Sequence, residues 1–571
     1  MMYNAPVQEM LFLFEKVLSG ERVFTGKFKN FDKSMAAEIL AEAAKIGENV
    51  LAPINKLTDM NPPIFRDGEV KCGGKLKDAY SALSSGGWIG VSGGTQHGGM
   101  GLPSVLTTCI NEIFSSGCMA LSLNALMTQG QIDALESHAS DNIKKIFLPK
   151  LNTGQWSGTM NLTEPQAGSD VGALMTKAEE SIDGTYKVSG QKIYISWGDH
   201  DLCENICHLV LARIPGSPKG SKGISLFLVP KFLPNKKGEP SERNNVKSLS
   251  MEKKLGLHGS PTMVLEYNRA TGWLIGNENQ GLTAMFTMMN NARLGVGVEG
   301  LSQSERAYQH ALAFAKDRIQ GKKFGESMPA QILDHADVRR TLLEMKAMTA
   351  VCRAICMDCS INIDLSKLLG QDEFQKKADV LTPIAKAFST DVANKVTEQG
   401  IQVHGGMGFI EETGVAQFYR DARVTSIYEG TNGIQAMDLV GRKLQDGGQG
   451  MQLLLKEIKK TEIIAVQNSI EETKLLTEAR IKLSESIEWM LGAQNINERY
   501  AGSLPFLKAF GFVLGGHYLL KSALMSDQKE KHILAKYYLK QILPMTSPML
   551  ESSTQGAAIL YSYDFAVDAL P

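Results

Sequence analysis

Along this chain the spacing of apolar residues changes twice. From Asp32 to about Gly158, segments such as SMAAEILAEAAKIGENVLAPI and SVLTTCINEIFSSGCMALSLNALM place apolar residues three and four apart between Gly-rich loops, which predicts helices. The period then shortens: YKVSGQKIYISW, CHLVLARI, GISLFLVPKF and TMVLEY are brief, β-branched and aromatic runs bounded by Gly, Pro, Asn and Asp, as strands of a compact sheet are. From Gly281 the helical period returns, and Val338, Leu342, Met345, Met348, Cys352, Ile355 and Cys359 mark one face of a long bundle helix. After the Gly-rich linker DLVGRKLQDGGQG, Met451 to about Lys540 is helical again and ends in a tail containing Pro and Ser. The predicted fold is mainly α with a central β domain. Its parts are a helical domain over 32–158, a β domain over 159–275, a helical bundle over 276–440 and a helical extension over 450–571.

Composition narrows the classes of function. At 571 residues the chain can bury several cores. Its 60 Lys and Arg nearly cancel 61 Asp and Glu, which leaves no long-range field to gather nucleic acid or an anionic membrane. The start, MMYNAPVQEMLFLFEKVL, meets Glu9 before its first base, Lys16, and so lacks the basic flank of an export or transit segment. The apolar stretch GFVLGGHYLLKSALM is interrupted by Gly515, Gly516, His517 and Lys521, and falls short of the roughly 20 apolar residues that span a bilayer. Eight cysteines without framework spacing fit reduced thiols. A cytoplasmic protein with no membrane and no nucleic-acid partner is expected.

Some motifs invite readings that their context opposes. GVGVEG has Gly295, Gly297 and Gly300 in the spacing of a dinucleotide-binding turn, with Asp317 at nearly the distance of a ribose contact. That turn must follow a strand, and here it follows the helix-like LTAMFTMMNNARL, so close helix packing through small residues is predicted. Cys352, Cys356 and Cys359 match the spacing of an iron-sulfur motif but share an apolar helical stripe, which predicts buried thiols. Cys203 and Cys207 lack a second pair to complete four metal ligands, and no metal is expected. GGTQHGGMG lacks the Gly-Lys-Ser/Thr ending of a phosphate loop and is predicted to join helices.

MNLTEPQAGSDVG, where helix gives way to β, is denser in chemistry. Thr163, a Pro-fixed turn, Gly168, Ser169 and Asp170 can present N–H groups and hydroxyls to an anion or heteroaromatic ring, or can simply cap a turn. With GQKIYIS, KLGLHGSPT, DRIQGKKFG, QVHGGMGF and IYEGTNGIQ in the same order, the chain resembles the acyl-CoA dehydrogenase family from roughly Met35 to Gly441. The resemblance implies an N-terminal helical domain, a β-barrel-like middle domain and a C-terminal four-helix domain, with FAD between them. It places Thr163 near flavin N5, Met160 and Leu162 along the ring, and Ser169 toward the CoA or pyrophosphate side. Tyr194 and Ser196 stand where the family usually has Trp and Thr, and keep an aromatic face and a hydroxyl.

Arg318, with Gln320 nearby, is implied to pair with the FAD pyrophosphate of a neighbouring subunit, which implies an oligomer. His335, Gln402, Gly406 and Thr431 match further cofactor positions, although Ala336 replaces the Gln that often follows the histidine. Arg293 and Asn290 match the CoA side, with Asn290 where the family often has Asp, and Gly433 stands where many members carry a polar side chain.

Desaturating carbons beside a thioester needs a base for the α proton and an acceptor for the β hydride, which no side chain can be. The resemblance makes Glu429 that base, with its backbone N–H toward the developing enolate oxygen and Gly430 admitting the thioester. Alone in the sequence, Glu429 reads as an ordinary solvated acid.

The extension beyond Gly441 is similar to that of an enlarged branch of the family in which homodimers are common. MYNAPVQEMLFLFEKVL and the length look most like members that turn a thioether substrate, 3-(methylthio)propanoyl-CoA of dimethylsulfoniopropionate breakdown, into methylthioacryloyl-CoA. Electrons would then pass to an electron-transfer flavoprotein. Medium- or long-chain fatty acyl-CoA is the alternative substrate. Another branch is a DNA-binding flavoprotein of the alkylation response, but from Gly441 onward 15 Lys or Arg meet 14 Asp or Glu, a balance that argues against that role.

Overall fold

A computed structural model describes residues 3–568. They form two compact units, one of Glu38–Gly295 with the N-terminal residues up to Ala5, the other of Pro6–Ala37 with the residues from Val296 onward.

In the first unit the helical spacing becomes α1 (Ala52–Met60), α2 (Ser104–His138) and α3 (Asp141–Asn152). GGTQHGGMG forms the loop before α2, and its Gly94 N–H donates to Glu136 Oε1 on α2 at 2.6 Å, so a protein carboxylate occupies that donor. Seven strands form the sheet that follows: β1 (Trp156–Asn161), β2 (Lys177–Glu180), β3 (Tyr186–Ser196), β4 (Asn205–Ala212), β5 (Ser225–Pro230), β6 (Val246–Met251) and β7 (Thr262–Ile275). They lie in the order β1-β4-β5-β7-β3-β2, with β6 also on β7; β1 and β4 are parallel and the other pairs antiparallel. Every residue of β4 and β5 is buried, which explains their continuous apolar runs. β7 serves both halves of the sheet, with Trp273–Ile275 on β5 and earlier residues on β3. A bridge between Lys177 and Arg213 carries the β2 edge round to the end of β4, curling the sheet toward a barrel.

The second unit is helical. α4 (Gly281–Asp317) contains all of GVGVEG without a break, and the division between the units falls inside it. A Cβ on Gly297 would lie 2.6 Å from the Ala385 carbonyl oxygen, and one on Gly300 2.8 Å from that of Ser389, so these glycines admit a neighbouring backbone. That neighbour is α6 (Asp372–His404), which also packs along α5 (Ala336–Leu369). Cys352, Cys356 and Cys359 are fully buried on α5. Then come α7 (Val415–Arg423) and α8 (Asn432–Gly441).

The extension comprises α9 (Gln449–Gln467), α10 (Thr473–Gly492), α11 (Ile496–Leu524) and α12 (Thr546–Ser553). α11, apolar on nearly every side, packs on α5, α6, α8, α10 and α12, as such a helix must. The Tyr518 hydroxyl on α11 donates to the buried Asp358 carboxylate on α5 at 2.6 Å. The Pro- and Ser-containing end differs from the expected tail: Pro548 sits in the first turn of α12, where it costs no hydrogen bond, and Leu550 and Ser553 are buried. No helix among the described residues is long and apolar enough to cross a membrane. Gly300→Val is expected to destabilise the fold by about 1–3 kcal/mol or more through overpacking against α6, read as a lower midpoint in thermal unfolding.

Candidate active site

In the β unit, two distant segments meet at the end of β1. Met160, Leu162 and Thr163 are half-buried there, and the Ile193 N–H on β3 donates to the Thr163 carbonyl at 2.9 Å. Beside it β3 is irregular. Lys192 pairs with Leu265 and Ile195 with Met263, so two residues of β3 oppose one of β7. Tyr194 takes up the extra residue in a left-handed conformation, φ 60°, and its ring is turned outward, 62% exposed. Ser196 follows, half-buried, and Ser169 lies exposed on the loop that Asp170 shapes by accepting from the Gly172 N–H at 2.9 Å.

A buried ion pair locks these segments. Lys192 Nζ donates to Glu164 Oε1 at 2.8 Å and to the Leu162 carbonyl at 2.9 Å, with both side chains 3% exposed or less. Burial alone would raise the Glu164 carboxyl, but Lys192, Thr176 and the Met175 N–H bring it down to about 2. Burial pushes Lys192 down to about 8, opposed by Glu164, so the pair is ionised at neutral pH.

In the helical unit, Arg318, Gln320 and His335 come together on an exposed hairpin, Ile319–Lys322 with Pro329–Gln331, just after α4. Arg318 Nη2 donates to Gln320 Oε1 at 3.1 Å, and His335 Nε2 lies 2.8 Å from the Gln320 carbonyl. Gln402 and Gly406 are exposed where α6 ends. Between them His404 stacks on Phe314 at 4.3 Å and meets His310 Nδ1 at 2.9 Å, which ties QVHGGMGF to the last turns of α4. Burial, with His404 adding, holds His310 down to about 3, so it is neutral. Asn290 is exposed on α4, whereas Arg293 is buried, 6% exposed.

Glu429 occupies a turn between α7 and α8 that an L-residue rarely adopts. It is half-buried at φ 56°, and Gly430 follows at φ 81°. The fully buried Gln435 donates from Nε2 to the Glu429 carbonyl at 3.1 Å, and a Cβ on Gly430 would lie 2.8 Å from that nitrogen. Thr431 caps α8 by accepting from the Ile434 N–H at 3.3 Å. Asn432 anchors the turn to α6: Nδ2 donates to the Ala387 carbonyl (3.1 Å), Thr390 Oγ1 (2.9 Å) and Asp391 Oδ1 (2.7 Å), and Oδ1 accepts from Lys386 Nζ (2.9 Å). A Cβ on Gly433 would meet only Thr431 Oγ1, at 3.8 Å, so there is room for a side chain at this position. Among the described residues no group of three or more His, Cys, Asp or Glu is arranged to hold a metal.

Family models match almost end to end. The N-terminal, middle and C-terminal domain models of acyl-CoA dehydrogenase cover residues 36–155, 159–270 and 279–444, and an acetyl-CoA dehydrogenase C-terminal-like model covers 454–564. The chain belongs to the acyl-CoA dehydrogenase family. A 3-methylmercaptopropionyl-CoA dehydrogenase of Ruegeria pomeroyi is 44% identical over 92% of each chain. Among solved structures, Caenorhabditis elegans ACDH-11 in complex with C11-CoA has a TM-score of 0.80 at 18% identity, over 95% of this chain and 92% of the other. An acyl-CoA dehydrogenase of Bacillus anthracis complexed with FAD has a TM-score of 0.75 at 19% identity, over 96% and 93%.

Within this acyl-CoA dehydrogenase, Glu164, Lys192, Asn432 and Gln435 hold site segments in place, and motif reading passed over each of them. Lys192 lies inside GQKIYIS and Asn432 inside GTNG, so their positions were visible while their partners were not. Because Glu164 titrates below its ordinary 4.5, its stabilisation is complete above that pH and is lost as the pH falls toward about 2. Lys192→Met leaves a buried carboxylate unpaired, a loss of about 3–5 kcal/mol. The variant is expected to melt earlier and to retain less FAD than the unaltered enzyme, measured by differential scanning calorimetry and the flavin-to-protein absorbance ratio.

Proposed function

We propose that the enzyme desaturates 3-(methylthio)propanoyl-CoA to methylthioacryloyl-CoA, with Glu429 as the base. The substrate reading rests on the 44% identity across 92% of both chains, and the base on the left-handed Glu429–Gly430 turn. The residues suit FAD. Half-buried apolar Met160 and Leu162, the Thr163 hydroxyl and the outward Tyr194 ring offer what a flavin ring needs, and the exposed Arg318 offers a planar cation for pyrophosphate. Ser169, Ser196, Gln320, His335, Gln402, Gly406 and Thr431 are proposed as further cofactor contacts, with Asn290, Arg293, Ser169 and Gly430 on the CoA side. When bound, FAD supplies the acceptor for the β hydride.

The chain supplies the rest. Glu429 takes the α proton, and its backbone N–H meets the thioester oxygen on which negative charge develops. Gln435 fixes the peptide that follows, and Gly430 lets the thioester approach the backbone. Acyl groups closing over the half-buried carboxylate would desolvate it and strengthen it as a base. A homodimer, with Arg318 reaching a neighbouring subunit's cofactor, and an electron-transfer flavoprotein as acceptor complete the proposal, in the cytoplasm.

Anaerobic bleaching of the flavin by a panel of acyl-CoAs tests it. The thioether substrate is expected to bleach fastest; similar rates for straight-chain acyl-CoAs with a much slower thioether would assign the enzyme to fatty acyl-CoA instead. Glu429→Gln is expected to bind FAD normally and to bleach slower by roughly 10²–10⁴-fold, the usual worth of a general base. Normal bleaching by that variant would remove Glu429 from the role.

A further inference from the structure

One buried carboxyl, Glu299, is unused in this chemistry and stands one side chain from Glu429. It lies on α4 inside GVGVEG and is 1% exposed. Its Oε2 accepts a hydrogen bond from the Tyr428 hydroxyl, and its Oε1 is buried with no hydrogen-bond partner. Tyr428 immediately precedes Glu429, so the bond fastens the base's neighbour to the bundle.

The groups around this pair come from α6, from α7 and from the turn between α7 and α8. α6 brings Lys386, whose ammonium also donates to Asn432, and the turn itself brings Tyr428 and Glu429. α7 adds Asp421, whose charge acts on Tyr428. Burial raises the Tyr428 hydroxyl well above its ordinary 10, so it remains a donor throughout the working range. Burial also pushes Glu299 up to about 8; the Tyr428 hydrogen bond opposes this, Glu429 adds to it and Lys386 opposes it. A carboxyl with an unpartnered buried oxygen is costly as an anion, and two nearby carboxyls titrate as a pair.

We propose that Glu299 is a positioning residue for Glu429: it holds Tyr428 by the ring hydroxyl and, on losing its proton, places a second negative charge beside the base. The inference rests on reading Glu429 as the base. While Glu299 is neutral, Glu429 meets no charge from it. Once Glu299 ionises, repulsion raises the proton affinity of Glu429 and makes it the stronger base. The rate of α-proton removal then climbs in two steps, the lower from Glu429 and the upper from Glu299.

Stopped-flow anaerobic bleaching of the FAD-loaded enzyme by saturating acyl-CoA, from about pH 6 to about pH 10, reads both steps. The unaltered enzyme is expected to show an upper rise of roughly threefold near pH 8. Glu299→Gln should abolish that rise. Tyr428→Phe, which removes the hydrogen bond favouring the Glu299 anion, should move it to higher pH, and it carries the test if the first variant fails to fold. An upper step left unchanged in either folded variant overturns the proposal while the base assignment stands. Normal bleaching by Glu429→Gln overturns the assignment of Glu429, and the coupling with it.

Discussion

In the helical unit, the turn that carries Glu429 depends on the amide of Asn432. Its two donor hydrogens and its oxygen are spent on α6, on Lys386, Ala387, Thr390 and Asp391, so the first residue of α8 is held as firmly as the core. Everything just upstream inherits that position. Glu429 can remain at φ 56°, a conformation that costs an L-residue of order 1 kcal/mol, because Asn432 holds one end of the turn and Gln435 holds its carbonyl. A short turn fixed at two points presents its carboxylate in one place, the geometry that the proposed role of Glu429 requires.

The β unit applies the same physics with charge in place of an amide. The TEPQAGSD loop carries no regular structure that would place Thr163, so the Lys192–Glu164 pair and the Ile193–Thr163 bond do so, and the bulge that aims Tyr194 lies beside them. Both units spend buried polar groups on position. Such groups are expensive unless fully partnered, and the bare Oε1 of Glu299 is one of the places where this rule is relaxed.

The extension adds a further constraint. α11 packs on α8 itself, and the Tyr518–Asp358 bond fastens it to α5. The helix that follows Glu429 is therefore backed by protein on its far side. The Pro- and Ser-containing end is recruited to the same packing, because proline in a first turn ends nothing.

Taken alone, the sequence determined which stretches are helix and which are strand, since the periods of 3.6 and 2 record which side faces the core. It also identified GVGVEG and the cysteine stripe as packing surfaces, because their context was helical on both sides, and it carried the motifs of the acyl-CoA dehydrogenase family in order. Tertiary structure alone decided the pairings. Lys192 is 28 residues from Glu164, Lys386 is 46 from Asn432, and Tyr428 is 129 from Glu299. Periodicity says that a residue is buried but not what it meets there. A buried polar side chain takes its function from its partner, and the fold brings that partner from far along the chain.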